Sequence, residues 1–262
     1  MENSKISWCS HTFNPLLGCA KVSEACRFCY AEALVVGRFG KQVWGLNAKR
    51  QVTSDANWKK PLTWDKKAKA AGERHRVFCA SLSDVFEDHP DWIEPRNRLW
   101  DLIAKTPNLD WLLLTKRPEN IEPMNHNGSH SAWPKNVWLG TTVENQEYAD
   151  IRIPTLMRSL ATNRFISAEP LLGPINNLET YRGGLDWCII GGESGNHARP
   201  AKMEWIRSIR DQCESMDSKF FMKQTGCILA HELGLKDKKG GDISEFPYEI
   251  RIQEVPTVGR LG

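Results

Sequence analysis

Three cysteines near the amino terminus are the residues whose type and spacing most clearly indicate chemistry. Cys19, Cys26 and Cys29 lie in the segment GCAKVSEACRFCY at residues 18–30, with C-x6-C-x2-C spacing. Three thiolates on one loop can bind three irons of a [4Fe–4S] cluster and leave the fourth iron open to an outside ligand. The alternative is a zinc staple that Cys9 completes. Zinc ligand pairs usually lie two to four residues apart, so the long gap after Cys9 favours the cluster.

The segments around this motif predict the elements that must position it. Seven short apolar runs are typical of buried parallel strands, and helix-length or loop-length segments separate them. This alternation predicts an α/β fold in which right-handed βαβ units form a full or partial β/α barrel. The predicted strands are the segment around 7–13, then 77–81, 111–115, 137–141, 164–168, 187–191 and 220–223. The predicted helices are 31–36, 92–104, 147–160 and 203–216, and a last short strand is expected at 248–255.

Polar residues follow most of the predicted strands at their carboxyl ends. In β/α barrels these ends converge on one rim, where the active site is assembled. For any single polar turn, a helix cap or an ordinary turn is the better explanation. Taken together, the turns predict a site on the rim, and they comprise 81–84, 115–118, 141–144, 169–170, 191–194 and 223–224.

A basic segment at residues 38–76 differs from the rest of the chain. It contains eleven Lys or Arg and three Asp or Glu, a net charge of +8, whereas the whole chain carries +3 and the remainder therefore −5. Trp44, Trp58 and Trp64 lie within it. Basic charge with interleaved aromatic residues suits a phosphate backbone and stacked bases. An insertion whose lysines are simply solvated explains the segment equally well.

Length and composition bound the remaining choices. With 262 residues, 40% hydrophobic and 26% charged, we expect one domain over 1–262, with a basic insertion at about 38–76 and a C-terminal extension at about 226–262. No apolar stretch approaches the roughly 18 residues of a membrane span. Eight cysteines are too sparse for a disulfide scaffold, and no secretory signal is visible. The expected setting is the reducing cytoplasm.

The cysteine motif and the barrel order around it resemble those of the radical SAM superfamily. More closely, the chain is similar to a family of phage and prophage proteins with a three-cysteine motif. The shared phrases are FNP at 13–15, GC at 18–19, CYAE at 29–32, LTKRP at 114–118, EPLLGP at 169–174, GGESG at 191–195 and KQ at 223–224.

This resemblance implies that Cys19, Cys26 and Cys29 hold a [4Fe–4S] cluster whose open iron binds S-adenosylmethionine. Reductive cleavage of that cofactor yields a 5′-deoxyadenosyl radical that abstracts a substrate hydrogen. The usual superfamily spacing is C-x3-C-x2-C, so the first gap is three residues longer in this chain. The implied cofactor-binding residues are Phe28 near the adenine, Ser81, Ser83 and Asp84 near the methionine amine, Thr142 and Glu144 near the ribose, and in addition Tyr30 and Lys116.

The remaining rim residues are candidates for handling the substrate. They are Glu169, Glu193 and Lys223, and their alternative role is to form ion pairs at the barrel mouth. The first hypothesis is a radical SAM enzyme that modifies or repairs a nucleotide or nucleic acid, with an external electron donor of the flavodoxin or ferredoxin type. The second is a non-catalytic nucleic-acid-binding protein with a structural zinc or iron–sulfur site. A radical enzyme that acts on a peptide or small metabolite is a third.

Overall fold

Seven strands lie in one sheet in the order in which they occur along the chain, as successive βαβ units predict. The computed structural model describes residues 1–125 and 131–257. Two short strands, β2 and β3, form a separate antiparallel pair. In chain order the strands are β1 (His11–Phe13), β2 (Leu16–Leu17), β3 (Gln51–Val52), β4 (His75–Cys79), β5 (Leu109–Thr115), β6 (Val137–Thr142), β7 (Asn163–Ala168), β8 (Trp187–Gly191) and β9 (Lys219–Gln224).

All seven predicted buried strands overlap a strand of this sheet, and the α/β fold is confirmed. Strands β1 and β4, β4 and β5, β7 and β8, and β8 and β9 pair in parallel. The described sheet has β1 and β9 at its two edges. The partial form of the predicted barrel is therefore the correct one. The chain divides into two compact units, of which the first contains Met1–Leu139 and Ser159–Thr162 and the second contains Gly140–Arg158 and Asn163–Gly262.

The four predicted helices are also present. The helices are α1 (Tyr30–Glu32), which continues as a π-helix over Ala33–Arg38, α2 (Asp55–Ala71), α3 (Ile93–Ala104), α4 (Gln146–Met157), α5 (Met203–Met216) and α6 (Cys227–Glu232). The predicted last strand at 248–255 is wrong. Tyr248–Ile250 is a 3-10 turn, and Gln253 forms only an isolated bridge with Phe221 among the residues the structure describes. Residues 258–262 of the predicted C-terminal extension lie outside the described residues.

Helix α2 was not predicted, and it changes the interpretation of the basic segment. The Ser54 hydroxyl caps the helix by accepting from the Asn57 amide, and Gly72 ends it with a left-handed φ of 66°. Trp58 and Trp64 lie on its inner face and are 3% and 1% exposed. These two tryptophans belong to the core. The expectation that they stack with bases is therefore wrong, because their rings already pack inside the protein.

A histidine pair, in which His11 is buried and His75 is half-buried, lies at the amino-terminal ends of β1 and β4 in the first unit. The His11 ring stacks on Trp64 with centroids 4.4 Å apart, and its Nε2 lies 3.1 Å from Nδ1 of His75. The Asn3 amide donates to Nδ1 of His11. Burial, reinforced by the neighbouring His75, lowers the pKa of His11 from 6.5 to about 4. His11 is therefore neutral in the folded protein at ordinary pH.

This pair predicts that the fold weakens in mild acid. The unfolded chain takes up a proton at His11 below pH 6.5, whereas the folded chain does so only near pH 4. The free energy of unfolding should therefore fall by up to about 2 kcal/mol as the pH drops through this window. Urea unfolding at several pH values should show a shallower fall in His11→Phe. The control His231→Gln, at an exposed histidine, should show the same pH dependence as the unsubstituted protein. If the free energy of unfolding falls equally with pH in all three proteins, His11 is not the group responsible.

The second unit is built on β7, β8 and β9, with α4 and α5 packed against it. Its buried apolar residues include Ile166, Ile190 and Ile209. Gly140 of β6 is required by packing, because a Cβ at this position would lie 2.3 Å from the Phe165 ring. In the part of the chain that the structure describes, no helix combines the length and apolar character of a membrane span.

Candidate functional site

The three-cysteine loop follows β1 and β2 at the carboxyl end of the sheet in the first unit. The Gly18 amide donates to the Leu82 carbonyl over 3.1 Å, and Gly18 forms a parallel bridge with Ser83, which ties the loop to the turn after β4. Gly18 has φ +110°, and a Cβ there would lie 2.2 Å from the Val43 carbonyl oxygen. Only glycine suits this position. The start of the loop is thus set by backbone contacts.

All three motif cysteines are free thiols, and all three are half-buried. Cys26 ends a 3-10 turn at Glu24–Cys26, and Cys29 is the N-cap residue of α1. Burial raises the pKa of the Cys19 thiol to about 12 and also raises that of Cys29. The Cys19 and Cys29 thiols are therefore protonated near neutral pH in the metal-free protein, and a metal has to displace their protons.

Cys9 lies at the opposite end of β1 from the motif. Ser10, the next residue, donates to the Arg76 carbonyl near the start of β4. The three residues of β1 lie between Cys9 and the motif, and at about 3.3 Å per residue they span on the order of 10 Å. Cys9 therefore does not complete a site with the three motif cysteines, and the four-cysteine zinc staple does not fit this structure.

The three motif cysteines supply the type and number of donors that a [4Fe–4S] cluster needs. Within residues 1–125 and 131–257, no three His, Cys, Asp or Glu side chains are grouped closely enough to bind one ion. Zinc needs its sulfur ligands at about 2.3 Å. A [4Fe–4S] cluster is larger, because each thiolate binds a different iron. Three free, half-buried thiols on one loop match that larger donor set.

A buried network of two arginines and two carboxylates lies beneath the loop. The Arg50 guanidinium donates to both Glu87 oxygens, at 2.8 Å each, and Arg117 donates to Asp84 over 2.9 Å. Arg117 also reaches Glu87 at 3.4 Å, which joins the two pairs. The Ala20 amide donates to Glu87 over 2.9 Å. The network therefore connects the core of the first unit to the residue directly after Cys19.

Asp84, expected at the methionine amine, is 6% exposed and serves this network. One carboxylate oxygen accepts from the Thr115 hydroxyl at 2.7 Å and from the Phe86 amide at 3.0 Å. The other accepts from Arg117 and from the Lys116 amide. In this conformation Asp84 holds together the turns that follow β4 and β5.

Ser81 and Tyr30, both predicted to bind the cofactor, are brought together by a hydrogen bond. The Tyr30 hydroxyl donates to the Ser81 carbonyl over 2.8 Å, and the Tyr30 residue is 57% exposed. Ser83 instead donates its hydroxyl to the Leu16 carbonyl. Phe28 is half-buried with the Arg27 guanidinium 5.3 Å from its ring centroid. Lys116 lies close enough to Cys29 to oppose, by its charge, the rise in the pKa of that thiol.

Sequence reasoning missed several residues that build the site. Asn14 accepts the Leu82 amide at 2.8 Å and donates to the Ser81 hydroxyl at 3.0 Å, so it shapes the turn after β4. Arg50 counted as one surface charge of the basic segment, but its side chain is 0% exposed. Glu87 was not singled out. For Asn14, the FNP phrase at residues 13–15 was a sequence signal that could have been used. No local sequence pattern indicated that Arg50 or Glu87 belongs to the site.

In the second unit, Glu144 follows β6 and is fully buried. One carboxylate oxygen accepts from Arg152 over 2.7 Å, and Arg152 also donates to the Thr142 carbonyl over 2.8 Å. The other oxygen of Glu144 has no hydrogen-bond partner among the described atoms. A buried carboxylate oxygen without a donor is costly, and a ligand hydroxyl or amine would satisfy it.

The three candidate substrate residues of the second unit all take part in ion pairs. Lys223 pairs with Glu169 at 2.5 Å, and both side chains are about one-fifth exposed, at 21% and 19%. A Cβ at Gly191 would lie 2.9 Å from a Glu169 oxygen, so this glycine makes room for the pair. The Glu193 carboxylate accepts hydrogen bonds from both the backbone amide and the guanidinium of Arg199, at 2.7–2.9 Å. Glu169 and Lys223 are thus brought together, and Glu193 has its own partner.

Comparison with known proteins assigns the chain to a family. A search of curated proteins found no match. Among solved structures, a cysteine-to-serine variant of spore photoproduct lyase matches with a TM-score of 0.46 and 16% identity, over 85% of this chain and 58% of that one. The chain thus spans less than two thirds of that protein's length, and the resemblance to phage and prophage proteins stays a prediction. A family model matches residues 3–246, and the chain therefore belongs to the DUF5131 family of proteins of unknown function.

Proposed function

We propose that this protein is a radical SAM enzyme in which Cys19, Cys26 and Cys29 bind a [4Fe–4S] cluster. The observation that carries the proposal is the donor set: three free, half-buried thiols on one loop at the carboxyl end of β1, with Cys9 at the other end of that strand. When bound, the cluster and S-adenosylmethionine supply one-electron cleavage of a carbon–sulfur bond. An external donor of the flavodoxin or ferredoxin type provides the electron.

The chain's own residues bind and orient the cofactor. Tyr30 and Ser81 are already linked, and Phe28 and Lys116 are half-buried residues of the same unit. We assign these four to cofactor binding. Asp84 supports the site by holding its turns, and Ser83 by tying its hydroxyl to the strand after β1.

The second unit offers further residues for ligands. The unpartnered oxygen of Glu144 suits a ribose hydroxyl, and Thr142 is held beside it through Arg152. Glu169 and Lys223 form a partly exposed pair that can exchange a proton with a substrate. Glu193 is 6% exposed and is assigned to orienting Arg199 toward substrate.

The test is anaerobic reconstitution of the full chain. We expect about four irons and four sulfides per chain and a broad absorption band that dithionite bleaches. Adding S-adenosylmethionine to the reduced protein should release 5′-deoxyadenosine. One zinc per chain with no colour would overturn the proposal. A cluster that forms without any cofactor cleavage would leave a structural iron–sulfur protein.

A nucleic-acid substrate is proposed from the outer face of α2. Both acids of this helix are engaged elsewhere, since Asp55 binds Arg98 at 2.8 Å and Asp65 accepts from Asn108 at 2.7 Å. Trp58 and Trp64 point inward, so the face offers charge for a phosphate backbone rather than rings for bases. The exposed lysines of α2 are Lys59, Lys60, Lys66, Lys67 and Lys69, of which Lys67 pairs with Glu2 at 2.5 Å.

Replacing four of these lysines by glutamine should weaken binding to a short DNA duplex. The substitutions are Lys59→Gln, Lys60→Gln, Lys66→Gln and Lys67→Gln. The slope of log affinity against log salt should become shallower by about 3, because each lost phosphate contact contributes about 0.9 and Lys67 is already paired with Glu2. The matched control changes the exposed Lys236, Lys238 and Lys239 of the second unit to glutamine. Equal salt-dependence slopes in both variants would contradict the assignment of α2 to nucleic-acid binding. That result would favour a peptide or a small molecule as the substrate.

A further inference from the structure

We infer that Arg117 is the positioning residue of Cys19, and that its hydrogen bond to the Cys19 sulfur makes the bound cluster easier to reduce. The inference rests on the proposed function. It adds a residue that positions one cluster ligand and makes the bound cluster easier to reduce. In the structure its guanidinium is committed to the protein.

The contacts of Arg117 lie on both sides of the motif's first cysteine. Its Nη1 donates to the Cys19 sulfur over 3.7 Å and to Asp84 over 2.9 Å. Its Nη2 donates to the Ala20 carbonyl over 2.8 Å. A guanidinium holds several donors in one rigid plane, so these contacts fix each other's geometry. Arg117 is 8% exposed, so water screens the contacts little.

The residue after Cys19 is held from two directions. The Ala20 amide donates to Glu87, and the Ala20 carbonyl accepts from Arg117. Glu87 is itself held by Arg50. Both peptide groups that flank Ala20 are thus anchored to buried charges, and the Cys19 side chain is directed by that anchor.

The other two cysteines are placed by local structure instead. Cys26 ends a 3-10 turn and Cys29 caps α1, so short-range backbone hydrogen bonds set their positions. Six residues separate Cys19 from Cys26, which is too long a gap for one helical turn to fix their spacing. The long gap therefore needs an anchor from another part of the chain, and Arg117 supplies it from 98 residues away.

The hydrogen bond also acts on the electron affinity of a bound cluster. Reduction adds one electron from the external donor and so increases the negative charge on the cluster and its sulfurs. A cationic donor at one of these sulfurs stabilises the reduced state more than the oxidised state. Removing Arg117 should therefore lower the reduction potential, which is a change that loss of packing alone does not predict.

The test compares Arg117→Met and Arg117→Lys with Arg96→Met. Arg96 is also 8% exposed and donates to the Val85 and Glu87 carbonyls, so it is a matched buried arginine without a contact to Cys19. We expect a more negative reduction potential of the cluster in Arg117→Met. The shift should be smaller in Arg117→Lys, which keeps the charge but not the planar guanidinium group. Arg96→Met should show no shift. The potentials are measured by redox titration of the reconstituted full chain.

A second measurement does not need a cluster. In the metal-free protein, amide hydrogen exchange over residues 19–25 should be about tenfold faster in Arg117→Met than in Arg96→Met, because a charged hydrogen bond has been lost. An unchanged potential and unchanged exchange in the Arg117 variants would overturn the inference while the cluster stands. Failure of the unsubstituted protein to take up iron and sulfide would overturn the proposed function, and the exchange rates would still decide the anchoring role. If Arg117→Met does not fold, the cluster potential and the amide hydrogen exchange are both measured in Arg117→Lys.

Discussion

Cys26→Ala protein prepared without oxygen is expected to bind no [4Fe–4S] cluster and to release no 5′-deoxyadenosine from S-adenosylmethionine. In the proposed site each motif thiolate binds a different iron, so the loss of one leaves two protein ligands for the whole cluster. Cys26 is half-buried at the end of a short turn and supports little packing, so the fold should survive. Iron and sulfide content, the absorption band and the product assay all measure this result.

The matched controls are Cys227→Ala and Cys9→Ala. Cys227 is a half-buried cysteine of the second unit whose sulfur accepts the Gly195 amide, and Cys9 lies at the far end of β1. Both variants should retain the iron, the colour and the cofactor cleavage. Loss of metal in Cys9→Ala would contradict the three-cysteine assignment, since it would make Cys9 a ligand.

Glu87→Gln is expected to cost about 3–5 kcal/mol of unfolding free energy, the range for breaking a buried ion pair from one side. Glu87 is 3% exposed and accepts from Arg50, Ala20 and, at 3.4 Å, Arg117. The substitution leaves the Arg50 guanidinium buried without its countercharge, although neutral carbonyl partners remain. Urea unfolding at constant pH measures the loss.

The control for this prediction is Glu214→Gln, at an exposed position on α5. A surface substitution of this kind should change the unfolding free energy by no more than about 0.5 kcal/mol. A comparably small change in Glu87→Gln would show that water reaches the network and that the loop is held by backbone contacts. The cluster content of Glu87→Gln should also fall, because the Ala20 amide exchanges a charged acceptor for a neutral one and this anchor is weakened.

The strands and several helices were predictable because their signals are local. A parallel strand covered on both faces is a continuous apolar run, and all seven such runs form the sheet. Helix α5 spans Met203–Met216, as predicted. Helix α2 was missed because an internal proline, Pro61, and many lysines are not typical of an amphipathic helix. Its buried residues Trp58, Trp64 and Ala68 nevertheless lie on one face of it.

The sequence by itself determined the three-thiol loop, the parallel α/β fold and the polar turns that follow the strands. Only the tertiary structure decided which charges are available to a ligand. Arg50 and Glu87 lie 37 residues apart and are buried together, and Arg117 meets Cys19 across 98 residues. Residue type and spacing specify local backbone structure, whereas burial and ion pairing depend on which distant segments approach one another in the folded chain.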